Sequence, residues 1–212
     1  PSLADDCGRV LSDHVRGFIA DNPYPLGVHW ASGQEIALRI MAWAFALPLV
    51  HATTGLDREL LRSAAGAIAT GVEHIERHIG YARHAVYNNH LLSEALGLML
   101  AGQLLQEHPR AAHWRDEGHQ ILTAQAGRQF YPDGGYIQQS HNYQRLACQV
   151  LLWACAVART AGGEPDPAWI GALDRSLDFL GAAVNPSLVV PEQGVFCLPS
   201  AFGLGFDQSH LR

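Results

Sequence analysis

"YNNHLLSEALGLMLAG", residues 87–102, is the stretch whose reading decides the fold. From Leu91 onward nearly every position is apolar, and no wet face recurs at helical spacing. A helix that is apolar all round is enclosed on all sides. Yet this one opens on Asn88, Asn89 and His90 and carries a carboxylate, Glu94. Such a helix needs neighbours in every direction, and its polar start needs a reason.

The flanking sequence supplies the neighbours. Strand signals are nearly absent and helix signals are dense. Helices are predicted from Leu3 to Ala20, Ser32 to His51, Asp57 to Ile79, Asn88 or Asn89 to Gln106, Pro109 to Phe130, Ser140 to Thr160, and Asp166 to Val184. Ser32 with Glu35 three residues on has capping-box spacing; Asp57, Asn88 and Ser140 are cap residues, and Pro109 suits a first turn. "DNPYPLGVHW" (21–30) is a Pro/Gly loop.

The helices alternate in character. Those from 32, 90 and 141 are apolar on most sides, whereas those from 57, 109 and 166 carry one apolar stripe. Short connections make successive helices antiparallel neighbours. If every second helix is inner, the inner ones point the same way. The expected fold is all-α, an incomplete α/α toroid of helical hairpins over residues 1–185. The tail 186–212 loses helical periodicity and reads as an extended linker.

Parallel inner helices put their N-termini on one rim, where backbone N–H groups favour anions. Three polar clusters fall at those starts, roughly fifty residues apart. The first is Glu35 and Arg39, with Trp30 ahead of them and Trp43 at the next i, i+4 position. The second is Asn88, Asn89, His90 and Glu94. The third, in "DGGYIQQSHNYQR" (133–145), holds Ser140, Tyr143 and Arg145. Each residue also has a plain structural role: a cap, an i, i+4 ion pair, or a core aromatic with a bonded hydroxyl. Trp30, Trp43 and Tyr136 are candidates to stack on sugar rings. His74 and His78 are read as exposed on an amphipathic helix, without a third metal ligand.

Composition sets the bounds. The chain has 212 residues, is 48% hydrophobic and 16% charged, and has a formal charge of −6. A core of useful size is available, and no basic stripe suits a nucleic-acid backbone. No signal peptide or membrane-spanning run is read from it. Cys148 and Cys155 would lie about 10 Å apart along one helix, too far for a mutual disulfide. All four cysteines, Cys7, Cys148, Cys155 and Cys197, are read as small buried hydrophobes. The start at Pro1 is read as that of an excised or processed piece.

The elements "NP…G…W", "E-x-x-x-R", "NNH…E" and "DG-x-Y-x-x-Q-S-x-x-Y", running in order from Asn22 to Tyr143, resemble the N-terminal helical domain of heparinase II/III-like polysaccharide lyases, which include alginate lyases. Two positions depart: Gln138 where that family often has Glu, and Gln144 where His is common.

The resemblance implies β-elimination on an acidic, uronate-containing polysaccharide or oligosaccharide, without a cofactor or metal, in a periplasmic or secreted protein. It also implies a C-terminal β-sandwich beyond this chain that supplies the other wall of the site. Asn89 and His90 would then bind the uronate carboxylate, and Tyr143 would act as base and acid. Trp30, Glu35, Arg39, Asn88, Glu94, Ser140 and Arg145 would contact substrate. Two alternatives stand beside it, a toroid hydrolase acting on uronides and a non-catalytic glycan-binding domain. Hydrolysis needs a positioned carboxyl pair, which the rim does not obviously offer.

Overall fold

The structure, a computed structural model, describes residues 3–183. Its helices are α1 (Leu3–Asp21), α2 (Gly33–Thr54), α3 (Arg58–Tyr81), α4 (Asn89–Leu104), α5 (Ala111–Gln129), α6 (His141–Thr160) and α7 (Pro167–Ala183). Among the described residues there is no strand, only an isolated antiparallel bridge between Phe130 and Tyr136. The linker expected at 186–212, with Cys197, lies outside the described residues.

α4 is the axis. Every residue from Leu91 to Gly102 is buried, and α2, α3, α5 and α6 all pack against it. Its relation to α2 is parallel, because the register rises on both: Gln34 donates to Ser93 at 3.3 Å, and Gly97 faces Ala37 one turn further along. Its relation to α5 is antiparallel. A Cβ at Gly102 would stand 2.4 Å from the Ala111 carbonyl oxygen, and one at Gly118 would stand 2.4 Å from that of Ala95. Two glycines thus let these backbones approach closely at both ends. With α6 against α4 and α7, and α1 against α2 and α3, the chain forms an arc of α/α toroid. α2, α4 and α6 make one layer; α3, α5 and α7 make the other.

Local chemistry explains the boundaries. Asp57 accepts from Leu60 N at 2.8 Å, and Asn88 accepts from His90 N at 2.9 Å. Ser32 accepts from Glu35 N at 3.5 Å, the long limit of such a bond. Ser140 holds the cap position of α6 without a side-chain bond, and α5 begins at Ala111 behind Arg110 rather than at Pro109. A π-helical turn, Ala82–Val86, joins α3 to α4, with Tyr87 left-handed at φ 46°. No sequence signal announced that turn.

Three expectations need correction. α6 is not enclosed: one face is buried through Ala147, Cys148, Val150, Leu151 and Ala154, while Leu152 is exposed. α2 buries Ile36, Ala37, Ile40, Met41 and Leu47 but leaves Leu49 in solvent. Neither helix is surrounded as α4 is, and each keeps a face that no neighbour covers, so apolar composition exceeds burial. α2 is also long and apolar enough to cross a membrane by length and composition, against the reading of no such run. Here it packs against α1, α3 and α4, with Glu35 and Arg39 in its first turns. Cys7 is exposed rather than buried.

Candidate functional site at the rim of the inner layer

Two hydrogen bonds bring the three inner helix starts together. Gln34, in the first turn of α2, donates to Ser93 of α4. Asn89 N, at the start of α4, donates to Gln138 Oε1 at 3.4 Å, two residues ahead of the α6 cap. The N-termini of α2, α4 and α6 therefore share one rim, and the positive ends of their helix dipoles favour an anion there.

Asn89 is 2% exposed, and its Oδ1 has no hydrogen-bond partner among the described residues. An unpaired buried amide oxygen costs about 1–3 kcal/mol, so the surrounding packing must hold it in place. His90 is half-buried, and burial pushes its imidazole pKa below the ordinary value. That burial favours the neutral ring. Tyr143 is 43% exposed in the first turn of α6. Arg145, also exposed, donates to Asn142 Oδ1 at 2.6 Å.

Glu94 is buried, and a Cβ on Gly33 would stand 2.6 Å from its carboxyl carbon. The carboxyl therefore abuts the first residue of α2. A helix N-terminus favours carboxylate, but burial dominates and pushes the Glu94 pKa up to about 7.

The first predicted cluster faces elsewhere. The Arg39 guanidinium lies over the rings of Phe18, at 4.5 Å, and Trp30, at 4.8 Å, and donates to the His29 carbonyl. Burial pulls its pKa down, opposed by Glu35, and Nη2 has no partner among the described residues. Trp30 is buried, its Nε1 donating to the Asn22 carbonyl and its ring edge-on to Tyr24. Trp43 meets Phe18 edge-on. Glu35 is exposed, 3.9 Å from His29. These residues brace α2 against α1 and the 21–30 loop, so the buried Trp30 ring presents no free face for a sugar.

Tyr136 is likewise no sugar platform: it is 2% exposed and donates to Gln129 Oε1 at 2.7 Å. Gln129 Nε2 donates to the Asn88 carbonyl at 3.2 Å. Gln144, read as a departure, donates to Gly134 O and Ser176 Oγ, both at 2.8 Å. Sequence reading missed this buried amide network. The available signal was Gln125 and Gln129 on the stripe of Trp114, Gly118, Ile121 and Leu122, since buried amides need partners.

On the outer face, Glu76, His113 and Glu117 offer ligand atoms within 4.8 Å of one another. Arg110 already pairs with Glu76, and Arg83 with Glu117. His74 is half-buried against Tyr24 Oη at 3.3 Å and stacks on His78.

A curated heparin-sulfate lyase of Bacteroides stercoris is 30% identical over 123 residues, covering 53% of this chain and 18% of that protein. The chain thus spans under a fifth of that relative's length. The heparan sulfate lyase HepC of Pedobacter heparinus superposes with TM-score 0.62 at 19% identity, over 84% of this chain and 28% of its own. A heparinase III structure superposes with TM-score 0.60 at 17% identity, over 81% of this chain and 26% of its own. At those identities the likeness shows a shared fold. The model of the heparinase II/III N-terminus matches residues 28–194, most of the chain, and the chain belongs to that family.

Proposed function

We propose that this chain is the helical part of a lyase that cleaves a uronic-acid polysaccharide by β-elimination. The observation that carries the reading is the common rim of α2, α4 and α6, tied by Gln34–Ser93 and Asn89–Gln138. That end of the fold carries the starts of the helices that hold Asn89, His90 and the exposed Tyr143, which supports a site for an anionic sugar. The names of the relatives, heparin and heparan sulfate lyases, support a uronate polymer as substrate.

The chemistry follows from the substrate. A base removes the proton at C5, the electron pair forms the C4–C5 double bond, and the C4–O4 bond breaks. An acid then protonates O4. The C5 proton becomes acidic only if charge spreads onto the adjacent carboxylate, so donors must meet that carboxylate in the transition state. The Asn89 amide and the His90 ring are assigned that work, and Tyr143 the proton transfer. Asn88, Glu94, Ser140 and Arg145 complete the rim. A C-terminal β-sandwich of the same protein is assigned the opposite wall. Without it the cleft is wet and its electrostatic contacts are weak, so this chain alone is expected to bind an acidic oligosaccharide weakly and cleave it poorly.

The test uses the natural reading frame that contains this chain and follows near-ultraviolet absorbance of the unsaturated product on a panel of uronate polymers. Tyr143→Phe should lower kcat roughly 10²-fold or more, the scale of general acid–base catalysis. Asn89→Ala should act mainly on kcat. New reducing ends without absorbance would mean hydrolysis, and binding without product would mean a glycan-binding domain. A near-normal rate for Tyr143→Phe would remove that residue from the mechanism.

A further inference from the structure

The turn that enters α4 is held from outside by amides that belong to other elements. Tyr87 is left-handed and Asn88 is extended, so the chain reverses sharply between the π turn and α4. The Asn88 carbonyl accepts from Gln129 Nε2 and from Leu91 N, and Asn89 N donates to Gln138 Oε1. Gln129 is held at both ends of its amide. Both its donors are engaged, one on Asn88 O and one on Gln125 Oε1, and its oxygen accepts from the Tyr136 hydroxyl. Tyr136 is fixed in turn, because the loop after α5 folds back: Ile137 N donates to Gln129 O, and Tyr131 N to Gly135 O. All of these groups are neutral, and Gln125, Gln129 and Tyr136 are buried. In that low-dielectric setting each bond is directional and costly to break.

We propose that Gln129 and Tyr136 are positioning residues: with Gln138 they form a clamp that fixes the Asn88–Asn89 turn and so aims the Asn89 and His90 side chains at the substrate. The proposal rests on the β-elimination reading for its catalytic consequence, though not for the clamp itself. Asn89 supplies the second observation. Its buried, unpartnered Oδ1 is the state a free turn would relax away from, and the clamp prevents that relaxation. Both grips fall on one peptide unit, the Asn88 carbonyl and the Asn89 N–H, so together they fix the plane from which the Asn89 side chain departs.

Tyr136→Phe removes one hydroxyl and keeps the ring. In the natural full-length protein, assayed well below its melting temperature, it should lower kcat about 10-fold with KM within about twofold, because a misaimed donor is missed chiefly in the transition state. Unchanged kcat beside a lowered melting temperature would overturn the proposal, since that is what a purely structural bond predicts. Hydrogen exchange gives the second readout, and Gln129→Met the second variant. In both variants the Asn89 and His90 amides should exchange at least about tenfold faster than in wild type, while residues 95–101 keep their protection. Equal loss along all of α4, or no change at the turn, overturns the clamp. If wild type cleaves no uronate polymer, the lyase reading falls, and exchange alone then upholds or overturns the clamp.

Discussion

Glu94 on α4 and Glu76 on α3 are both carboxylates at helix–helix contacts, yet their surroundings drive them in opposite directions. Glu94 faces the inner rim, is buried against Gly33, and has no ion pair among the described residues; burial pushes its pKa up to about 7. Glu76 faces outward between α3 and α5. Burial raises its pKa too, but hydrogen bonds from Arg110 and the nearby charge of Arg110 and His113 outweigh that and leave it below the ordinary value. Arg110 Nε lies 2.9 and 3.0 Å from its two oxygens. The inner rim is built of neutral amides around one desolvated acid, and the outer face of partly exposed ion pairs. The low dielectric of the first makes each polar group expensive to leave unpaired, while water and salt make each charge on the second nearly dispensable.

The largest effect on stability should come from Glu94. A carboxyl with a raised folded pKa keeps its proton where the unfolded chain has lost it. Stability therefore falls as pH rises from the ordinary value of 4.5 to about 7 and is flat above. The span corresponds to roughly 3 kcal/mol at most. Glu94→Gln should flatten this slope, gaining up to about 3 kcal/mol over wild type at pH 8 and little at pH 4, as read by urea melts across pH. A wild-type midpoint that does not fall between those pH values would mean that Glu94 is not desolvated as the rim requires.

The next effect is steric and sits at the same contact. Gly33→Ala drives a Cβ into the Glu94 carboxyl. The atoms met are the far end of the Glu94 side chain, which can shift, so the cost should be about 1 kcal/mol, the low end of overpacking. The cost should shrink in a Glu94→Ala background, because the clash partner is gone. A double-mutant cycle with no coupling would show that Gly33 matters for another reason.

Much of this contrast was legible in the sequence, for physical reasons that differ by element. α4 was legible because an unbroken apolar run admits one environment. Asp57 and Asn88 were legible because capping is local chemistry. The wet faces of α2 and α6 were not: composition says that a helix can be buried, not how many neighbours reach it. Arg39 has the right spacing to pair with Glu35, but its neighbours Phe18 and Trp30 come from segments whose approach is set by tertiary packing. Tyr136 was read as a sugar platform because its burial depends on the loop folding back onto α5. The candidate catalytic residues Asn89, His90 and Tyr143 were named from pattern and resemblance, while the amides that hold Asn89 come from two distant segments.

The smallest effect is expected on the outer face, and it carries the opposite sign in pH. Glu76 has its folded pKa lowered, so its contribution is present above the unfolded pKa and is lost as pH falls through the folded one. Its partners are Arg110 and His113, and the guanidinium and imidazole are half-exposed. Glu76→Gln should therefore cost about 1 kcal/mol or less near neutral pH. That cost should diminish further at 1 M salt, where the screening length is roughly 3 Å. The wild-type slope assigned to Glu94 should survive the same salt, because a desolvated carboxyl with no counter-charge gives ions little to screen. Melting both variants at low and high salt, at pH 3 and pH 8, separates the two regions: one responds to salt and loses stability in acid, the other ignores salt and gains it. If Glu76→Gln instead costs several kcal/mol and is indifferent to salt, the outer cluster is as desolvated as the rim, and the division between the two faces fails.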